Sequence, residues 1–212
     1  MATINILGVP HAYDLTPPPK SPAPVLIFIH GWLLSRHYWQ PLIERLAPAN
    51  QCLNYDLRGF GDSQPLLDIP KNRNHSSYTL ASYAQDLNIL LQELEIEQAW
   101  LIGHSLGGSI ALWGADYCYK RVKGAICLNS GGGIYLKEEF ERFRAVGQQL
   151  VKQRYPWLDY VPWIDWLFAR AMVERPLSRR WGRQRLLDFL KADREAALGA
   201  WLDSTTEPEA HL

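Results

Sequence analysis

Gly103-His104-Ser105-Leu106-Gly107-Gly108 is the stretch whose residue types and spacing could do chemistry most directly. A serine hydroxyl attacks an acyl carbon well only when a base takes its proton and fixed donors receive the charge that develops on the attacked oxygen. A serine with glycines two residues before and after it, set between a strand and a helix, is held in a tight, strained turn that lifts its Oγ clear of the backbone. The helix N-terminus behind it favours negative charge. Ser105 is therefore the candidate nucleophile and the backbone N–H of Leu106 a candidate oxyanion donor, with Gly103, His104 and Gly107 framing the turn. The competing reading is a serine that only caps the next helix. His30-Gly31-Trp32 is the second cluster. Gly31 lets the backbone approach a substrate closely, so the Trp32 N–H is expected as the second oxyanion donor. His30 is read as holding its loop through hydrogen bonds rather than as a base.

These residues need elements that end where they stand. Val25–Ile29 is a continuously apolar, β-rich run behind a proline-rich entry, as expected of a strand buried on both faces. Residues 38–47 read as a helix and Cys52–Tyr55 as a strand ending at Asp56. From Leu80 onward Tyr83, Ala84, Leu87, Leu90, Leu91 and Leu94 recur at helical spacing behind Thr79 as N-cap. Residues 99–102 read as strand, 109–119 as helix, Val122–Leu128 as strand, and residues 3–14 as an antiparallel edge hairpin. Alternating strands and helices at these spacings predict an α/β fold with a mostly parallel sheet flanked by helices.

His30-Gly31, Asp56-Leu57-Arg58-Gly59-Phe60-Gly61-Asp62-Ser63 and Gly103-His104-Ser105-Leu106-Gly107-Gly108 resemble three successive signatures of the α/β-hydrolase superfamily. The resemblance covers residues 20 to 135. It implies a serine hydrolase needing no metal or cofactor, and makes Asp56, Arg58 and Ser63 supporting residues of a loop near the site. Serine where haloalkane dehalogenases and epoxide hydrolases carry aspartate points to the esterase and lipase branch. Carbon–carbon hydrolases, perhydrolases and the menaquinone-pathway lyase share the same turn. The superfamily's order is serine, then acid, then histidine, the last two after later strands. Here Asn129-Ser130-Gly131 stands after the sixth expected strand, and the late His211 lies in an acidic stretch beside the last residue. The expectation is a core over 1–135 and a helical cap over 136–212, with the C-terminal core strands absent, the chain truncated and catalysis by it doubtful. A non-catalytic binding or sensor protein on this fold, or a truncated product without settled function, are the alternatives.

Composition narrows the classes further. Lys+Arg and Asp+Glu are 22 each, so no net field draws the chain to nucleic acid. The apolar runs fall short of the ~20 residues that span a bilayer, and the first ten residues lack a signal-peptide pattern, which makes cytoplasmic the expected location. Cys52, Cys118 and Cys127 form no metal or disulfide spacing and read as small buried hydrophobes. Residues 138–203 read as helices and hold five of the nine tryptophans, so the expected partner is a small apolar ester-like substrate. Six arginines between Arg170 and Arg185 face one acid, Glu174. They read as a solvated helix face, or as a peripheral contact with an anionic membrane. Val122–Leu128, lacking a further strand beside it, is expected to expose an edge open to self-association.

Overall fold

The computed structural model describes residues 1–65, 78–130 and 137–205, the last stretch with side chains from 141 onward. Six strands form one sheet: β1 (Ala2–Ile6), β2 (Val9–Leu15), β3 (Val25–Ile29), β4 (Cys52–Tyr55), β5 (Ala99–His104) and β6 (Val122–Leu128). Their spatial order is β1-β2-β4-β3-β5-β6. The β1–β2 hairpin pairs antiparallel and joins β4 antiparallel, while β4–β3, β3–β5 and β5–β6 are parallel. Central β3 buries Ile27, Phe28 and Ile29 completely. A continuous apolar run suits a strand with packing on both faces.

Seven α-helices lie among the described residues: α1 (Gln40–Leu46), α2 (Leu80–Glu93), α3 (Leu106–Tyr117), α4 (Lys137–Lys152), α5 (Ile164–Phe168), α6 (Arg179–Lys191) and α7 (Arg194–Ser204). The periodic apolar face of α2 is the buried one, and its N-terminus is closed reciprocally: Thr79 Oγ1 accepts the Ser82 N–H, and Ser82 Oγ accepts the Thr79 N–H. That satisfies donors which a helix cannot bond internally. Helices α2, α3 and α7 share one core with β3, β4 and β5, and Phe28, Trp39, Ile43, Cys52 and Ile102 fill the other face.

Two boundaries differ from the sequence expectation. Strand β5 runs on to His104 and α3 begins at Leu106, three residues before the expected Ser109. Only Ser105 separates strand from helix. Gly107 and Gly108 look like loop residues on propensity, but they lie where side chains do not fit. A Cβ on Gly107 would stand 2.2 Å from the Ile29 carbonyl oxygen, and one on Gly108 2.4 Å from Ser130 Cβ. The close approach of α3 to the sheet outweighs helix propensity. β6 is the outermost strand among the described residues, and Ile126 and Leu128 on it are exposed. Residues 131–136, including Gly131-Gly132-Gly133 and the expected 135/136 boundary, lie outside the described residues, as do Glu207, Pro208, Glu209 and His211.

Candidate active site

Ser105 occupies the turn between β5 and α3 with φ 54° and ψ −123°, a backbone conformation that costs a non-glycine residue of order 1–3 kcal/mol. The surroundings hold it there. The Ser105 N–H donates to the Leu128 carbonyl at 2.9 Å, and its own carbonyl accepts from the Gly108 N–H at 2.8 Å. A Cβ on Gly103 would lie 2.0 Å from the Gly107 carbonyl oxygen, so the turn closes only with glycine there. Ser105 is partly exposed, and its hydroxyl makes no hydrogen bond to a described residue.

The loop after β3 packs onto this turn. A Cβ on Gly31 would stand 3.3 Å from Ser105 Cβ and 3.0 Å from His104 Nδ1. The next residue, Trp32, is anchored from the other side: its indole N–H donates to the Ala197 carbonyl at 2.8 Å, and its ring stacks on Trp201 with centroids 4.1 Å apart. Neither the Trp32 nor the Leu106 backbone N–H donates to a described residue, and Leu106 sits in the first turn of α3, where no helical carbonyl reaches. The structure thus packs the Gly31-Trp32 loop against the Ser105-Leu106 turn, and both residues that follow, Trp32 and Leu106, have backbone N–H groups without an acceptor among the described residues.

The four described histidines do other things. His30 is completely buried; its Nδ1 lies 2.8 Å from the Gly31 carbonyl and its Nε2 accepts the Leu57 N–H at 3.0 Å. A ring that accepts at Nε2 must donate from Nδ1, so it is the neutral tautomer with no lone pair left for a substrate proton. Burial also pushes its pKa below the ordinary histidine value, against the pull of Asp56. His104 stacks on Tyr38, centroids 5.0 Å apart, with Nδ1 buried and without a partner among the described residues. His11 lies in the core 3.7 Å from Asp86, and His37 follows Arg36 in the turn before α1.

Asp56 and Arg58 tie down the loop after β4. Asp56 is fully buried and accepts the Arg36 backbone N–H at 2.6 Å, Arg36 Nη1 at 2.5 Å and the Asp62 N–H at 2.7 Å. Ser63 ties this loop to the hairpin, its hydroxyl donating to the Asp56 carbonyl and accepting the Ala12 N–H. Arg58 Nε lies 3.1 Å from Asp86. Arg36, absent from the sequence reading, also holds Asp14 at 2.9 Å and Asp62 at 2.8 Å. Twenty residues and a strand separate it from Asp56, and no local pattern announces the pair. Although burial alone would raise it, Asp62 is drawn down to about 2 by Lys191 of α6 and by Arg36.

The arginines of 170–185 are not simply solvated. Arg179 pairs with Asp165 and Arg183 with Asp159, both at 2.8 Å, acids that precede the stretch. Arg185 donates to the carbonyls of Phe168 and Ala171, closing the end of α5. A crevice of about 480 Å³ opens between α6 and the β2–α1 side of the core, lined by Asp14, His37, Ile43, Arg180, Trp181 and Gln184. It does not include Ser105, Trp32 or Leu106.

Asp188 of α6 is buried and accepts from Gln184 Nε2 at 2.8 Å. Burial pushes its pKa up to about 6, with Asp56 and Asp62 adding to the rise and the Gln184 amide and Ser35 hydroxyl opposing it. The folded state holds this proton more tightly than the unfolded chain, so the favourable contribution is complete below about pH 4 and is lost as pH rises through about 6. Asp188→Asn is expected to raise stability by up to about 3 kcal/mol near pH 8 and by little near pH 3 to 4. Urea midpoints at the two ends of that range check this; an equal change at both would refute it.

A mostly parallel sheet whose strand β5 runs through a strained serine turn directly into a helix defines the architecture of this chain. The chain belongs to the alpha/beta hydrolase fold family, whose model matches residues 24–205. Among curated relatives it is 29% identical over 164 residues to RutD of Enterobacter cloacae, a carbamate hydrolase by name; the match covers 74% of this chain and 58% of RutD. The chain therefore spans less than two thirds of that relative's length. Among solved structures it matches a thermophilic esterase from Thermogutta terrifontis with TM-score 0.70 and 22% identity, covering 98% of this chain and 72% of the esterase. It matches the enol-lactonase from Burkholderia xenovorans with TM-score 0.72 and 20% identity, covering 98% and 74%. At those identities the likeness is one of fold.

Proposed function

We propose that this chain carries the nucleophile half of a serine hydrolase for carboxylic esters. Ser105 Oγ attacks the acyl carbon, the Trp32 and Leu106 N–H groups receive the oxyanion, and the aromatic helices α4–α7 form a cap over an apolar acyl group. The observation that carries this reading is the serine at φ 54° between β5 and α3, with the Gly31 loop packed against it and the Trp32 and Leu106 N–H groups without an acceptor among the described residues. Losing one such donor typically costs roughly a hundred- to a thousandfold in rate. The esterase and enol-lactonase of like fold, and a carbamate hydrolase among the sequence relatives, act on carbonyl centres by their names, which supports acyl chemistry. Carbon–carbon cleavage and perhydrolysis share the same turn and stand as the second reading.

No described histidine hydrogen-bonds Ser105, so neither acylation nor deacylation has an engaged base within the described residues. An activated ester then acylates Ser105 slowly, and the acyl-enzyme accumulates because its hydrolysis needs the same missing help. Incubation with p-nitrophenyl butyrate followed by peptide mass mapping is expected to find the butyryl adduct on Ser105 and none in Ser105→Ala. Adducts spread over lysines and other serines, with Ser105 unmodified, would defeat the proposal.

A further inference from the structure

We propose that the face formed by residues 155–180 docks the protein on an anionic lipid surface, lying on it rather than crossing it. No described helix is long and apolar enough to cross a membrane. This inference does not rest on the Ser105 reading. Met172 is 96%, Tyr160 84% and Trp163 71% exposed, and Trp157, Trp166 and Leu167 of the same stretch are about half exposed. Large exposed apolar patches of this kind mark interaction surfaces.

Two features show that folding alone does not account for the patch. Trp163 and Met172 sit at φ 68° and φ 56°, the left-handed region that costs a bulky residue of order 1–2 kcal/mol. Met172 leaves nearly all and Trp163 most of its surface in solvent, so little internal packing offsets that cost. The charge pattern then selects the partner. Within the face four arginines, Arg170, Arg175, Arg179 and Arg180, stand against three acids, Asp159, Asp165 and Glu174, in a chain of zero net charge. Asp159 and Asp165 are already paired, to Arg183 and Arg179. Arg170 lies over the Trp166 ring at 3.8 Å from its centroid, and Arg175 and Arg180 have no carboxylate partner among the described residues. Tryptophan and tyrosine rings settle at the headgroup level of a bilayer, and arginines interleaved with them meet lipid phosphates. Each basic residue near an anionic surface contributes about 1 kcal/mol.

Co-sedimentation of the full chain with vesicles of phosphatidylcholine alone, and of phosphatidylcholine mixed with phosphatidylglycerol, tests the proposal. Binding is expected to the mixed vesicles only, to weaken at high salt, and to bring tryptophan emission within reach of bromine-labelled lipid. Arg175→Gln and Arg170→Gln are each expected to lower partitioning about fivefold, Arg175→Lys to retain it, and Trp163→Ser with Met172→Ser to abolish it while the far-ultraviolet circular dichroism stays unchanged. No binding, equal binding to both vesicle types, or binding indifferent to these substitutions would overturn it. So would variants that leave vesicle binding intact and instead abolish concentration-dependent association of the chain seen by light scattering, since the face would then serve a second copy.

Discussion

Turnover of p-nitrophenyl butyrate by the 212-residue chain is expected to fall roughly a millionfold short of an intact serine hydrolase and to change little in Ser105→Ala. The reason is local. An unactivated serine contributes almost nothing once its base is gone, and what survives comes from the oxyanion donors and from binding. His30 has both nitrogens bonded within its own loop and to Leu57, and His104 is turned onto Tyr38. His30→Gln is therefore expected to loosen the loop without touching chemistry. Single replacements of His75 and His211, which lie outside the described residues, complete the series and should leave the residual rate where it is. Ordinary esterase turnover that disappears in Ser105→Ala would refute the expectation, and whichever histidine variant also abolished it would be the base.

How much could be read beforehand depends on the range of the interaction. The strands β3 to β6 and helix α2 announce themselves through periodicities confined to a few turns, and Thr79 through its place next to such a pattern. Ser105 was legible because the glycines that make its turn possible are its sequence neighbours. The start of α3 was misjudged because what decides it, the Ile29 carbonyl of β3 against Gly107 and Ser130 after β6 against Gly108, comes from other parts of the chain. The same holds for Trp32: its glycine neighbour is visible in the sequence, but its anchor on Ala197 and Trp201 lies some 165 residues away. Arg170–Arg185 read as a basic face because the acids that neutralise part of it, Asp159 and Asp165, fall just outside that window.

Asp56→Ala is expected to cost about 3–5 kcal/mol, a large share of the 5–15 kcal/mol that holds a typical domain folded. The carboxylate is completely buried and is the meeting point of three donors: the Arg36 backbone, the Arg36 guanidinium and the Asp62 backbone. Gly61 wraps so closely around it that a Cβ there would stand 2.4 Å from Asp56 Cγ, so no water-sized space separates loop from carboxylate. Alanine leaves two buried N–H groups without an acceptor and a guanidinium, 3% exposed, with only the partly exposed Asp14 and Asp62. Unsatisfied buried groups lose their full desolvation cost, whereas removing both partners of a buried pair is far milder. Arg36→Met combined with Asp56→Leu should therefore be less destabilised than Asp56→Ala alone, and urea unfolding of the single and double variants measures the difference. Because Arg36 also ends the loop that begins at Gly31, Asp56→Ala should loosen the Trp32 donor and slow acylation of Ser105 in the mass-mapping assay. A loss of stability under about 1 kcal/mol, the range of exposed ion pairs, would mean that solvent reaches this carboxylate and that the loop is held by its backbone contacts to Ala12 and His30 instead.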